Sequence, residues 1–246
     1  MSLPTPLINV MEAAARKASR RLVRDFGEIE QLQVSRKGPG DFVSEADRRT
    51  EQVLYDELSK ARPGFGFLME EGGEINGESG DERWIVDPID GTTNFLHGIP
   101  HFAICIALQS NKEIVSGLIF DPIKDEMFFT EKDKGCFLNN QRLRVSKKNT
   151  LDDCLFSSNH EGVKYSDLNM RCSGCAALDL AYVAAGRLDG FFHNQINLWD
   201  IASGSLMVEE AGGKINNFDK FNKNSINIRA SSDAINEKML EKLNNF

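Results

Sequence analysis

The sequence predicts an α+β fold in which layers of helix and strand are stacked. Three observations predict it. Apolar residues recur at helical spacing in the first sixty positions. Apolar, β-rich runs then follow one another from Trp84 to Val145. After residue 175, helical stretches alternate with single strands. The chain has 246 residues, enough for one large domain or two small lobes with a sizeable core. We expect a single domain over 1–246, with an N-lobe 1–147 and a C-lobe 148–246 meeting at the polar stretch Lys147-Lys148-Asn149. No internal repeat, low-complexity segment or flexible linker is visible.

Leu7, Val10, Met11, Ala14, Ala18, Leu22 and Val23 share one face of an opening amphipathic helix. Arg36 to Asp41 contains Gly38-Pro39-Gly40 and reads as a loop. Ser44 resembles an N-cap for a helix to about Ala61, which Pro63-Gly64 ends. Phe65 to Met69 is a short strand ending at Glu70-Glu71, and Glu74 to Asp81 is a polar, glycine-containing loop. Strands follow at Trp84 onward, Phe102–Gln109, Ile114–Phe120 and Glu126–Thr130. Cys136–Leu138 and Leu143–Val145 flank Asn139-Asn140 as a hairpin. Leu155–Ser158, Gly190–Phe192, Lys214–Asn216 and Ile226–Ala230 are later strands. Helices are expected at Ala176–Ala185, Trp199–Ala211 and Asp233–Leu243.

Composition is that of an ordinary globule, 41% hydrophobic and 27% charged. The net charge of -8 argues against broad electrostatic binding to nucleic acid or to an anionic membrane. Arg20-Arg21 and Arg24 read as a solvated helix face. No apolar run is long enough to span a membrane, and the N-terminus lacks a signal-peptide pattern, so a cytoplasmic location is expected. Five cysteines without secretory signals fit reduced thiols. Cys172-Ser173-Gly174-Cys175 has CxxC spacing, yet a zinc site needs a second ligand pair and a redox site needs a thioredoxin-like surround. Neither is present.

The chemistry sits in Trp84-Ile85-Val86-Asp87-Pro88-Ile89-Asp90-Gly91-Thr92-Thr93-Asn94-Phe95. An apolar run ends in an acid, a proline, a second acid and a glycine, which reads as a buried strand presenting two carboxylates on a tight turn. Fixed carboxylates beside backbone carbonyls and hydroxyls suit a hard cation such as Mg²⁺. Glu70, Glu71 and Asp200 join them at predicted element ends. Alone, Asp200 is an ordinary helix cap and Glu70-Glu71 an exposed turn; together with Asp87 and Asp90 they read as a metal site. His97 and His101 lie nearby, but magnesium prefers oxygen. No P-loop, dinucleotide fingerprint or nucleophile elbow competes.

At these residues the chain resembles the inositol monophosphatase family, and its bacterial members most. Asp87-Pro88-Ile89-Asp90-Gly91-Thr92-Thr93-Asn94-Phe95 is similar to the family's first signature. Trp199-Asp200-Ile201-Ala202-Ser203-Gly204, followed by Glu210-Ala211-Gly212-Gly213, is similar to the second. Asp41-Phe42-Val43-Ser44-Glu45-Ala46-Asp47 and Glu70-Glu71 match two further motifs, and the likeness runs from about residue 7 to about residue 230. It implies an αβαβα sandwich, usually a homodimer, with two or three Mg²⁺ per site and inhibition by Li⁺. It further implies that Glu70, Asp87, the Ile89 carbonyl, Asp90 and Asp200 are metal ligands. Glu70 and Thr92 would orient a nucleophilic water, with Asp47 steadying Thr92. Asp90, Gly91, Thr92, Thr93 and Asp200 would meet the substrate phosphate and its ester. Arg171, Gly174, Cys175 and Ala176 would shape the leaving-group pocket, and Arg36 would lie beside the acids.

One departure concerns the substrate. The inositol enzymes commonly carry Glu seven residues before the second-signature Asp, and here that position is His193. Inositol 1-phosphate is therefore the leading substrate, with histidinol phosphate, fructose 1,6-bisphosphate and adenosine 3′,5′-bisphosphate as alternatives used by relatives. Some bacterial relatives also associate with the transcription machinery. The acidic balance disfavours direct RNA contact as the basis of such a role here.

Overall fold

The amphipathic N-terminal stretch forms α1 (Pro6–Gly27). Thr5 starts it by accepting the Ile8 N–H on its hydroxyl at 3.3 Å, and Pro6 fits the first turn, where no N–H is needed. The structure is a computed structural model that describes residues 4–28, 34–38, 41–78, 80–158, 168–216 and 225–244; the side chains of 34–38, 41–44 and 244 lie outside the description. A hairpin of β1 (Val34–Gly38) and β2 (Asp41–Ser44) leads from α1 into α2 (Glu45–Ala61).

Helices α1 and α2 cover one face of an eight-stranded sheet. It contains β3 (Gly66–Met69), β4 (Gly73–Ile75), β5 (Arg83–Asp90), β6 (Ala103–Ser110), β7 (Glu113–Asp121), β8 (Glu126–Glu131), β9 (Gly135–Leu138) and β10 (Gln141–Arg142). The order is β10-β9-β8-β7-β6-β5-β3-β4, antiparallel except for β3 beside β5. Met11, Leu22, Leu54 and Leu58 pack there on Trp84, Val86, Ile104 and Phe120. One short helix, α3 (Thr92–Leu96), follows β5 directly.

A five-stranded sheet is built from β11 (Leu155–Ser157), β12 (Asn169–Arg171), β13 (Gly190–Ile196), β14 (Gly213–Asn216) and β15 (Ile226–Ser232), in the order β12-β11-β13-β15-β14. Between the sheets lie α4 (Ala176–Ala184) and α5 (Leu198–Glu210). Their side chains share one core with Ala103, Cys105 and Ile119 from the large sheet and Phe191 and Ile228 from the small one. On the far face α6 (Asn236–Asn244) sets Met239 against Phe156 and Phe192. Helix, sheet, helix, sheet, helix is the expected αβαβα order. A helix pair packed between two sheets is largely apolar, as α4 and α5 are. No helix among the described residues is long and apolar enough to cross a membrane.

The central pair sits tightly. A Cβ at Gly117 of β7 would be 2.8 Å from Ser203 Cα, and the Ser203 hydroxyl donates to the Ile106 carbonyl at 2.8 Å, so α5 rests directly on the sheet. A Cβ at Gly204 would stand 2.5 Å from Leu180 Cβ, which fixes how closely α5 meets α4.

Several boundaries differ from expectation. Residues 36–38 and 41 belong to strands β1 and β2 instead of a loop, and residues 39–40 lie outside the described residues. Glu74 and Ile75 form an edge strand instead of opening a loop. The partner of β9 is Gln141–Arg142, not Leu143–Val145; Leu143 is core-packed, but its N–H returns to Cys136 and Val145 bonds to Ala211 across the molecule. The apolar alternation there reports burial and not a ladder. Helix α3 and strand β12, each under six residues, have no counterpart in the sequence reading. The capping role expected of Ser44 falls on a side chain outside the described residues.

Gly204→Ala is expected to lower the urea midpoint by an amount equivalent to about 1–3 kcal/mol, from overpacking. Gly27→Ala, where an added Cβ meets nothing within 4 Å, should stay within about 0.5 kcal/mol.

Candidate metal centre

The two acids do not sit on a tight turn, as the sequence suggests, but lie within β5, which continues to Asp90 through a bulge. Asp87 pairs with Cys105 and Asp90 with Ala103, so three steps on β5 oppose two on β6. In a regular strand residues three apart face opposite sides. The extra residue restores the parity and turns both acids to the face that carries Ala103 and Cys105, toward α4 and α5. Pro88 is tolerated here because a bulge has no ladder bond for it to break. Ile89 points the other way into the core under α1 and α2.

Asp200 comes from the third position of α5. Its carboxylate accepts the Asn197 N–H at 3.1 Å, completing a capping box. One oxygen each from Asp87, Asp90 and Asp200 lie within 4.8 Å of one another. Glu70, just past β3, is partly buried, and both Glu70 and Asp200 are hydrogen-bonded to Asp87. The cap role and the cluster role of Asp200 are therefore held by one side chain.

Each acid also receives chain donors. Asp87 accepts the Ile89 N–H at 2.9 Å. Asp90 accepts the Ala177 N–H at 2.6 Å, the Cys175 thiol at 3.1 Å and the Ala176 N–H. The second cysteine of the CxxC pair is thus a buried donor to an acid, while Cys172 is exposed.

Burial is the main reason all four carboxyls are weak acids. It raises Glu70 to about 9, with Asp200 adding repulsion. It raises Asp200 to about 8, with Asp90 adding to it. Asp90 reaches only about 6, because its donors from Ala177 and Cys175 oppose burial. Asp87 is pushed well up by burial and then by Glu70 and Asp90. An all-oxygen set that is starved of water and self-repelling is what a hard cation relieves.

The other expected residues are placed as follows. Gly91 caps α3 with φ 95°, and a Cβ there would meet the His101 and Gly174 carbonyls at 3.1 and 3.3 Å. Thr92 and Thr93 open α3, so their N–H groups have no carbonyl partner inside the helix. The Thr92 hydroxyl donates to the Ile89 carbonyl at 2.9 Å. Asp47 is buried in the first turn of α2. Arg171 is exposed at the end of β12, its guanidinium on the Met170 carbonyl at 2.9 Å. His193 lies on the same face of β13 as Phe191, with ring centroids 6.4 Å apart. The side chain of Arg36 lies outside the described residues. His97 closes α3 and the His101 ring lies against Tyr182, so neither joins the acids.

Two residues escaped the sequence reading. Asn94 is buried and donates at 2.8 Å to both the His101 and Ser173 carbonyls, tying α3 to the turn before α4. Asp179 is buried and accepts the Ser157 and Ser173 hydroxyls at 2.6 and 2.8 Å; burial raises it to about 7. Asn94 stands inside the quoted signature, which was the available signal. Asp179 sits in an apolar helix, where a lone acid was itself a signal.

The raised carboxyls set a pH dependence. Their folded values (about 6, about 8 and about 9) exceed the ordinary 3.8 and 4.5. The folded state therefore holds protons more tightly than the unfolded one, and this contribution is complete below about pH 4 and lost as pH rises toward about 9. In chelator, the melting temperature should fall steadily across that window, and Asp90→Asn should flatten the fall. Differential scanning calorimetry against pH reads both.

The profile of the Inositol monophosphatase family matches residues 3–245. The chain is 52% identical over 228 residues to the inositol-1-monophosphatase of Mesorhizobium japonicum, covering 87% of this chain and 86% of that protein. It is 37% identical over 228 residues to the Nus factor SuhB of Escherichia coli, covering 87% and 85%. The crystal structure of the extragenic suppressor protein suhB from Bartonella henselae superposes with a TM-score of 0.89 at 49% identity, over 97% of this chain and 98% of that one. With a family match over nearly the whole chain and relatives at this identity, this chain is a member of the inositol monophosphatase family.

Proposed function

We propose that the chain is a Mg²⁺-dependent phosphomonoesterase that releases phosphate from inositol 1-phosphate. The observation that carries the reading is the convergence of the Asp87, Asp90 and Asp200 carboxylates within 4.8 Å, with Glu70 hydrogen-bonded to the set. The substrate assignment is supported by the 52% identity to the Mesorhizobium inositol-1-monophosphatase.

Glu70, Asp87, the Ile89 carbonyl, Asp90 and Asp200 would hold two or three Mg²⁺. When bound, such ions neutralise charge growing on the phosphoryl oxygens and acidify water. The chain does the rest. Gly91, Thr92 and Thr93 offer N–H and hydroxyl donors to the phosphate at the opening turn of α3. Glu70 and the Thr92 hydroxyl would orient the attacking water, and Asp47 would steady Thr92. Asp90 and Asp200 hold the ester side. Gly174, Cys175 and Ala176, in a turn held by the Asn94 bond to the Ser173 carbonyl and by the Cys175 and Ala176 donors to Asp90, would wall the leaving group, with Arg171 and His193 nearer its hydroxyls. Histidine can bond hydroxyls but carries no fixed negative charge, so position 193 bears on the alcohol and not on the metal chemistry.

The test is phosphate release from inositol 1-phosphate with Mg²⁺, with and without Li⁺. Outer partners of metal ligands are already worth about 10–100-fold, so Asp90→Asn should cost at least ~100-fold in kcat/KM. Equal rates for the two proteins would overturn the reading. A panel of histidinol phosphate, fructose 1,6-bisphosphate and adenosine 3′,5′-bisphosphate decides the substrate; a higher kcat/KM for any of them displaces inositol 1-phosphate. A second reading, association with transcription elongation complexes, is favoured by the 37% identity to the Nus factor of Escherichia coli. Co-purification with RNA polymerase by both wild type and Asp90→Asn would support it, and no enrichment over a control would end it.

A further inference from the structure

Glu70 stands at a weakly supported point of the fold. Strand β3 is locked to β5 through Met69 opposite Val86, and the Glu70 N–H reaches the Val86 carbonyl at 3.3 Å. Beyond it the chain turns at once into β4, a three-residue edge strand whose residues are all exposed. An edge strand this short gives its turn little support.

Support comes from α2. Glu51 is buried, and its Oε2 accepts the Glu71 N–H at 2.9 Å, while the Gly72 N–H also donates to the same carboxylate. The turn lies flat on this group: a Cβ at Gly72 would be 3.0 Å from Glu51 Oε1 and 2.8 Å from Met69 Cε. Glu51 follows Asp47 by four residues, so α2 presents both acids on one face. A buried acid carrying two consecutive backbone N–H groups, immediately after a metal-ligand candidate, fixes the direction in which that candidate points.

We infer that Glu51 is a positioning residue that aims Glu70 into the metal centre by clamping the Glu71–Gly72 turn. This rests on the reading of Glu70 as a ligand of Mg²⁺. Glu51 touches neither the ion nor the substrate, and acts only through the turn. It follows that its reach matters as much as its charge. Glu51→Gln sets an amide NH₂ against one of the two N–H donors. Glu51→Asp keeps the charge but falls one methylene short.

The experiment is calorimetric titration of Mg²⁺ into metal-free wild type, Glu51→Gln, Glu51→Asp, Gly72→Ala and Glu70→Gln, with melting temperatures alongside. Glu51→Gln and Glu51→Asp are both expected to weaken Mg²⁺ binding about 10-fold, in the range of other groups that orient metal ligands. With Mg²⁺ raised to saturation, kcat should return to within about 3-fold of wild type. Gly72→Ala, which pushes on the clamp from the turn side and leaves the acid in place, should weaken binding likewise and covers the case in which a Glu51 variant fails to fold. Lower melting temperatures with unchanged Mg²⁺ affinity would make Glu51 merely structural and overturn the inference. So would wild-type affinity in Glu51→Asp, which would mean that charge alone matters. Unchanged affinity in Glu70→Gln would instead strike at the ligand assignment beneath it.

Discussion

Mutual repulsion of buried carboxylates is the constraint around which this molecule is arranged. Two unit charges 4.8 Å apart oppose each other by about 3–4 kcal/mol at an effective dielectric near 20, and Asp87, Asp90 and Asp200, when ionised, would make three pairs within that distance. Among the described residues no lysine or arginine pairs with any of them. Each is held instead by backbone N–H groups: Ile89 for Asp87, Ala177 for Asp90 and Asn197 for Asp200. These donors steady the acids without neutralising them.

The layered fold exists around that arrangement in a specific sense. Ala177 stands in the first turn of α4, and Asn197 caps α5. Both helices therefore direct their N-terminal ends at the bulged end of β5, where their partial positive charge offsets part of the carboxylate repulsion. That requires both helices to start at the same place on the sheet, and the close approaches at Gly117 and Gly204 set their seats. The second sheet follows from the first requirement. Helices buried on the acid-bearing face need a cover on their outer side, and β13 and β15 supply it through Phe191 and Ile228.

The long elements were legible because their burial is one-sided and regular: α1 and α2 carry clear apolar faces, and β6 and β7 are continuous apolar runs. The αβαβα order was carried by resemblance and agrees with the structure. What escaped was set by partners distant in sequence. Strand β12 is Asn-Met-Arg, with no apolar pattern, and exists because β11 lies parallel to it. Strand β13 extends past Phe192 into polar residues because β15 pairs with it as far as Ile196. The acids of the centre could be named from the sequence, but why Asp87 and Asp90 face the same way could not. Their spacing of three is wrong for one face of a strand, and only the register against Cys105 and Ala103 exposes the extra residue. Glu51 was invisible for the same reason: its role depends on a turn twenty residues away.

The positions of the remaining pocket residues bear on how such a site changes substrate. Asp90 takes its donors from Cys175, Ala176 and Ala177, the stretch that we assign to the leaving-group wall. In the proposed function, a substitution at Cys175 would alter the one carboxyl that burial raises only to about 6, and so would disturb metal and alcohol together. His193 is held differently. Its carbonyl accepts Arg229 at 3.0 Å, its backbone is laddered to Ile228, and its ring lies along Phe191. None of these bonds runs to an acid of the centre. In the proposed function, position 175 would therefore tie the alcohol to the acids, while position 193 would meet it from a strand held by β15.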